Sequence, residues 1–549
     1  MAIPDRVNLF RAQGMRSVGG NGWRMSHNPV SPPLLDILDR LGVVSMDETR
    51  ELHSDPISVM NMGAMVKRDR NHASVVRPSL PSRSRTALLL RLGLAGNSFD
   101  GNFRSDTVFW DDAQVIWSYC NEGGCSSDGA PQFRNITEKY DGTRPTLGNR
   151  QGNTQMDATT DVEGFSHKSG PTFDAYNSAN PTRPKFASEC CSCTSSRTGQ
   201  TSMSSALVGG TAGNVSADES SGFSCTASQS NASNGRPFMA GTMTWTLFDY
   251  YGESHGWPKV SSAYGQFDIA GFQKNTARWY RAWWLSDVPA SDAGRPVGFG
   301  EAPSCYPFKA GSGISVLTEA VTVELYEDGK KTSTATVLPL EAAKLTPDAE
   351  TTVKNLTVVC LGSDGAPTAS GAIIEPQEAS KIELTLDAPS VLTGTGKSLL
   401  LDGHDVAMIR AAVVDVDGTV NSTGAYNISF NVTAGPGRVL GTHNGDNACH
   451  EPNHASWHSS YAGLARGFVQ VTQHHAGSAS DRARMASIDR EVAYTTVHAD
   501  DEAAPSSITV VASSPGLTSA TIEIPVSAES EHGVMPTAAR SMNTQQRWD

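Results

Sequence analysis

Two glutamates stand at the ends of short apolar runs. Glu122 closes VIWSYCNE (115–122), and Glu189 closes KFASE (185–189). A pair of carboxylates across a sugar linkage can hydrolyse it. One protonates the leaving oxygen, and the other attacks the anomeric carbon or activates water. A separation near ~5 Å gives retention and a wider one inversion. A strand-end glutamate taken singly is more often an ion-pair partner, so the reading rests on the pair and its surroundings.

Further polar residues fall at comparable places: His27 in SHNP, Asp47 and Glu48 in MDE, Asn121 beside Glu122, Asp161, and Trp245 in TWT. Other clusters carry less. Three of the nine cysteines fall in CCSC (190–193), but no paired CxxC motif with zinc spacing exists. Adjacent thiols on a strand point to opposite faces, which argues against a metal cluster there. The odd cysteine count and low density argue against a disulfide scaffold. Asn-x-Ser/Thr sequons occur at Asn135, Asn214, Asn231, Asn355, Asn421, Asn427 and Asn431, which leans weakly toward a secretory route.

The elements that must position these residues alternate. Val7, Phe10, Met15 and Val18 keep helical spacing and stop at Gly19-Gly20. GWRMSH (22–27) reads as a strand. Ser31-Pro32-Pro33 opens a helix that Gly42 closes, and VVSMDE (43–48) is a buried strand. A helix over 57–72, the strand VIWSYCNE, a helix over 131–141, the strands RPTLGN, KFASE and MAGTMTWTLFD, and a helix over 266–285 follow. Strand–helix alternation with polar strand ends predicts a parallel α/β array, and in a (β/α)8 TIM barrel the chemistry sits at those ends. Beyond about residue 290 the helical signal stops. VTVELYEDGKK (321–331), DVAMIRAAVVDVDGTV (405–420), AYNISFNVTAG (425–435) and SATIEIPV (519–526) read as strands of two all-β immunoglobulin-like sandwiches in series.

Taken together, IPDRVNLFRAQ (3–13), WRMSHNP (23–29), LLDILDRLGVV (34–44), MDE (46–48), VKRDRNH (66–72), VIWSYCNEGG (115–124) and GTMTWTLFDYYGE (241–253) resemble glycoside hydrolase family 2 in order and spacing. DGHDVAMIRAAVVD (402–415), NGD (444–446) and SPGLTSATI (514–522) resemble the accessory domains of its β-galactosidase-like members. The resemblance implies a retaining enzyme, with Glu122 as acid/base and Glu189 as nucleophile. It implies that Asn121 bonds the sugar 2-hydroxyl, that His27 and Trp245 line the sugar subsite, and that Asp47 and Glu48 shape its floor. GFSH (164–167) stands where many relatives have G-Y-N-Y, so His167 occupies the place of the residue that supports the nucleophile. Thr49 stands where many have Asn. No organic cofactor is implied. Magnesium sites near the acid/base find no convincing match here, with Glu51 and His53 the weak candidates.

The resulting expectation is a partial TIM barrel over 1–288, sandwich domains over 289–385 and 386–527, and a polar tail over 528–549. The family's jelly-roll, its preceding immunoglobulin-like domain and its first barrel strand have no counterpart, so weak activity is expected of the chain alone, or a role as an inactive fragment that binds glycans or other proteins. MAIPDRVNLF does not read as a signal peptide. Deleting 77–114 joins a helix to the strand VIWSYCNE in the family manner. Valine codons begin GT and glutamine can be CAG, so a translated intron is one expectation, and a surface loop with a helix over 85–94 is the other.

Composition narrows the partners. The chain has 549 residues, 38% apolar and 18% charged, with ten Trp, which is a globular composition. Its net charge of −14, without a basic patch, argues against a nucleic-acid partner. The sequence has no run of about eighteen apolar residues, the length needed to span a membrane as a helix. The expected partner is a β-linked carbohydrate.

Overall fold

The structure, a computed structural model, describes residues 3–50, 53–72, 116–119, 129–148, 158–197, 223–254, 256–286, 304–310, 313–348, 355–475, 495–497 and 506–528. The insertion 77–114, Asn121, Glu122, Glu51 and the polar tail after 528 lie outside the described residues.

The first unit is strand–helix alternation. Its strands are β1 (Gly22–Arg24), β2 (Val44–Thr49), β3 (Ile116–Tyr119), β4 (Thr146–Gly148), β5 (Val162–Ser166), β6 (Lys185–Cys190) and β7 (Met239–Thr244). They form one sheet in chain order, and every pairing is parallel. The described helices are α1 (Asp5–Ser17), α2 (Pro32–Leu41), α3 (Pro56–Asp69), α4 (Ala130–Tyr140), α5 (Gly170–Ala179), α6 (Ser224–Asn234) and α7 (Asn275–Trp284).

Local chemistry explains the boundaries. Pro32 and Pro33 start α2, where their missing N–H groups cost nothing. Gly42 ends it with φ 63°, a left-handed conformation that glycine adopts without a Cβ clash. Asp55 caps α3 by accepting from the N–H groups of Ile57 (2.9 Å) and Ser58 (3.1 Å). Leu34, Leu35, Ile37 and Leu38 of α2 bury against Leu9 and Ala12 of α1 and Met62, Met65 and Val66 of α3. On the other side of the sheet, Met46, Leu147, Val162, Phe186 and Ala240 from five strands form one buried cluster.

Several sequence expectations shift. The expected partial TIM barrel stands, among the described residues, as a sheet of seven parallel strands in which no pairing closes the first strand onto the last. The expected helix over 266–285 is helical only from Asn275. Before it, Gly271 turns with φ 84°, and Asp268 accepts from the N–H of Phe272 at 2.9 Å, which spends these residues on a loop. Strand β5 and helices α5 and α6 had no sequence signal. VEGFS is short and broken by glycine, and SCTASQSNASN offers small polar residues without an apolar stripe. Asp161 precedes β5 rather than closing a strand. It accepts from Arg134 and from the backbone of Thr146 (2.9 Å), at the end of the sheet away from Glu189.

The second half is antiparallel β. A four-stranded sheet built on Thr322–Glu327 and Asn355–Leu361 faces a three-stranded one built on Gly313–Thr318, with Val316, Val323, Leu325 and Val358 between them. The next pair of sheets, four- and five-stranded, encloses Ile409, Val413, Ile428, Val469, Ile508 and Val510. Low cysteine density did not exclude disulfides. Cys305–Cys360 ties two facing strands, and Cys190–Cys191 and Cys193–Cys225 tie the segment after β6. No described helix is long and apolar enough to cross a membrane.

The two halves are joined by buried polar contacts. Arg6 of α1 grips Asp405 through two bonds (2.9 and 2.6 Å) and reaches the carbonyls of Thr395 and Ser398. Lys274 donates to Asp249 (2.7 Å) and to the carbonyls of Ser195 (2.9 Å) and Ala263 (3.2 Å). Asn447, from the second half, shares its amide hydrogens among Asp249, Ser261 and the carbonyl of Ser262.

Candidate active site

Strand β2 is buried along its length yet carries Asp47 and Glu48. Successive side chains on a strand face opposite ways. Glu48 turns toward β1 and Asp47 toward α3. Arg24, the last residue of β1, meets Glu48 through Nε (2.8 Å) and Nη2 (3.0 Å) in a forked pair. Its remaining arm, Nη1, reaches Glu189 at 2.6 Å. One guanidinium thus joins two carboxylates from different strands.

Glu189 sits near the end of β6 and is 4% exposed, so its charge needs compensation. Oε2 takes Arg24, and Oε1 accepts from His167 Nε2 at 2.7 Å. Burial alone would raise the carboxyl. The His167 hydrogen bond and the Arg24 charge outweigh it and hold Glu189 below the usual glutamate range. His167 lies just past β5 with φ 49°, a left-handed conformation uncommon for a residue with a Cβ, and its N–H bonds the Glu189 carbonyl at 2.8 Å. The ring is fixed to the strand it serves.

His27 follows β1 and donates Nδ1–H to Glu48 at 2.8 Å, since a carboxylate only accepts. Its ring stacks on Trp245, with centroids 5.2 Å apart and planes 19° apart. Trp245 Nε1 donates to the Tyr250 hydroxyl at 3.0 Å, and that hydroxyl donates to Glu253. Burial, then the Glu253 bond, raises the Tyr250 pKa, so the hydroxyl stays protonated and keeps donating.

These groups enclose a cavity of about 1110 Å³ lined by Arg24, His27, Glu189, Trp245, Tyr250 and Glu253, among others. The size suits a small organic ligand. An ionised carboxylate, a flat indole and hydroxyl and imidazole donors converge there. That set can attack an electrophilic carbon and seat a ring against an apolar face.

Of the residues singled out by sequence, His27, Glu48, His167, Glu189 and Trp245 come together. Asp47 does not. It faces Asp69 behind the sheet, and burial, then that neighbouring carboxyl, holds it well above the usual aspartate range. His53 precedes α3 and is not among the residues that line the cavity, and Glu51 is not described. Sequence reasoning missed Arg24, Tyr250 and Glu253. Arg24 was within reach: WRMSHNP holds a cation three residues before His27, and two buried glutamates require one.

Residues 391–491 match the model of glycoside hydrolase family 2 C-terminal domain 5. Over 496 residues the chain is 24% identical to the β-galactosidase BoGH2A of Bacteroides ovatus, covering 81% of this chain and 54% of that protein. The chain thus spans about half the length of this curated relative. The fold is similar to that of a β-glycosidase from Bacteroides vulgatus, with TM-score 0.65, 16% identity, and coverage of 96% of this chain and 62% of that one. It is equally similar to a β-glucuronidase from glycoside hydrolase family 2, with TM-score 0.65, 16% identity, and coverage of 96% and 47%. The motifs along the first half, the matched C-terminal domain and a shared fold over nearly the whole length all indicate glycoside hydrolase family 2.

Proposed function

We propose that the chain is the catalytic portion of a retaining glycoside hydrolase that removes terminal β-linked sugars, with β-galactosides the first substrates to try. The observation that carries this reading is Glu189, held ionised by Arg24 and His167 at the wall of a cavity that also presents Trp245. In the first step a Glu189 oxygen bonds to the anomeric carbon as the bond to the leaving oxygen breaks, and Glu122 gives that oxygen its proton. In the second step Glu122 takes a proton from water. The water oxygen then bonds to the carbon, and Glu189 leaves as carboxylate. Asn121 bonds the 2-hydroxyl, His27 and Trp245 seat the ring, and Glu48 holds Arg24 and His27 in place beneath it.

We read β1–β7 as strands of a (β/α)8 barrel spanning 1–288, followed by immunoglobulin-like domains over 289–385 and 386–527. Met46, Leu147, Val162, Phe186 and Ala240 from five strands share one cluster, and Gly22 of β1 lies against Met243 of β7, an approach of first and last strands that supports a curled sheet.

The test is hydrolysis of a panel of aryl β-glycosides by this chain, with and without residues 77–114, with Glu122→Ala and Glu189→Ala as controls. Turnover that both substitutions abolish supports the reading and identifies the sugar. No turnover in any form, or turnover that survives Glu189→Ala, sinks it.

A further inference from the structure

A second cluster lies apart from the cavity, in the segment between the strands Gly437–His443 and Trp457–Ser459. Cys449 Sγ is 3.2 Å from His458 Nε2 and 3.7 Å from Glu451 Oε2, and His458 Nε2 is 3.6 Å from Glu451 Oε2. A tetrahedral zinc ion holds sulfur at about 2.3 Å and nitrogen or oxygen at about 2.0–2.2 Å, which sets such donors about 3.4–3.6 Å apart. The three edges of this triangle lie within a few tenths of an ångström of those values.

Each donor is also oriented. The Thr442 hydroxyl lies 2.8 Å from the carbonyl of Trp457, 3.0 Å from that of Ala455 and 3.2 Å from His458 Nδ1; with its single proton given to the nearest of these, the Trp457 carbonyl, it accepts from Nδ1. Nδ1 therefore carries the ring proton, and Nε2 presents a lone pair to the cluster. Ser459 fixes Glu451 through its N–H (2.8 Å) and its hydroxyl (2.5 Å). Asn444 Nδ2 points at Cys449 Sγ from 3.8 Å. Metal-binding side chains are commonly steadied by outer partners of this kind. His443 stacks on His458 but stays outside the set, because its Nδ1 accepts from the Gly445 N–H at 2.9 Å.

We propose that Cys449, Glu451 and His458 form a zinc-binding site. Thiolate, imidazole and carboxylate together select a borderline-soft divalent ion over calcium or magnesium, which take all-oxygen sets. On binding, the metal replaces the Cys449 thiol proton, which leaves to water, and a water fills the fourth position. Glu451 is the most exposed of the three donors, with 25% of its side chain accessible, and marks the way in. The site clasps a segment that docks on the rim of the cavity. His450 meets the carbonyl of Pro258 (2.7 Å) and packs on Trp257, while Asn453 bonds Tyr251.

The test is a Co²⁺ titration of the metal-free full-length protein, read by the thiolate-to-cobalt charge-transfer band. One equivalent per chain is expected, displaced by Zn²⁺. Cys449→Ser and His458→Phe should abolish the band, and a Cys120→Ser/Cys125→Ser double variant should keep it. Thr442→Val should weaken binding by about 10–100-fold. No band on the native chain at excess Co²⁺, or the same band in Cys449→Ser, overturns the proposal. Alkylation of Cys449 in the native protein, mapped by mass spectrometry, gives a check that needs no variant. Zn²⁺ should slow it, and equal rates with and without Zn²⁺ overturn the site.

Discussion

Two buried carboxylates, each beside a cation, behave in opposite ways. Asp249 lies at the seam between the halves, sealed against Lys274 and Asn447, with no exposure of either charged side chain. All three protons of the ammonium have acceptors, and both carboxylate oxygens have donors. Even so, burial pushes the Asp249 carboxyl up to about 6, with Lys274 pulling against it. Glu189 is also buried, but it borders the cavity, and His167 and Arg24 take it below the usual range. A carboxylate–cation contact therefore does not mark a site by itself. What marks one is a charge stabilised on its inner side and open on the other. Around Asp249 the seam spends its polar groups on itself.

Four substitutions break or sharpen this contrast. The largest effect is expected for Glu189→Gln, which keeps the shape and removes the charge. Turnover of an active aryl glycoside should fall by about 10⁴-fold or more while Tm stays within a few degrees. Lys274→Met should do the reverse. It strands Asp249, costs about 3–5 kcal/mol of stability in urea unfolding, and leaves kcat/KM per folded molecule nearly unchanged. Arg24→Met tests the sign of the Glu189 shift. Arg24 favours the ionised form, so its loss should move the acidic limb of the kcat/KM profile to higher pH; an unmoved limb would show that His167 suffices. Asn447→Ala is the mildest. It removes one donor to Asp249 and should cost about 1–3 kcal/mol by thermal unfolding, again without touching kcat/KM.

The same contrast explains what could be read from sequence. Strand ends were legible where short apolar runs met a polar residue, and this located Glu48 and Glu189. Their neighbour Asp47 was misplaced because a motif names residues without naming faces, and β2 has polar groups on both. Lys274 was hidden inside a segment that scanned as helix, although it precedes the first helical turn of α7. Short β5 and small-residue α6 lacked any periodic signal, since neighbouring elements rather than their own composition hold them. The cysteine pairs were invisible because density says how much a fold depends on disulfides and says nothing about which thiols meet. Asn121 and Glu122 fall outside the described residues, and their roles remain proposals for the paired substitutions.

The Cys193–Cys225 bond has a practical corollary. It closes a ring of chain around the interval between β6 and α6. A protease that cuts once inside that ring produces two polypeptides that still travel as one. Without reductant, a nicked preparation would show a single band and an unchanged mass apart from one added water. With reductant it would split into a fragment bearing Glu189 and a fragment bearing Trp245 together with the entire β-rich half. Any activity measured on stored protein should therefore be accompanied by a reducing gel, because the two walls of the cavity could be covalently tethered yet no longer continuous.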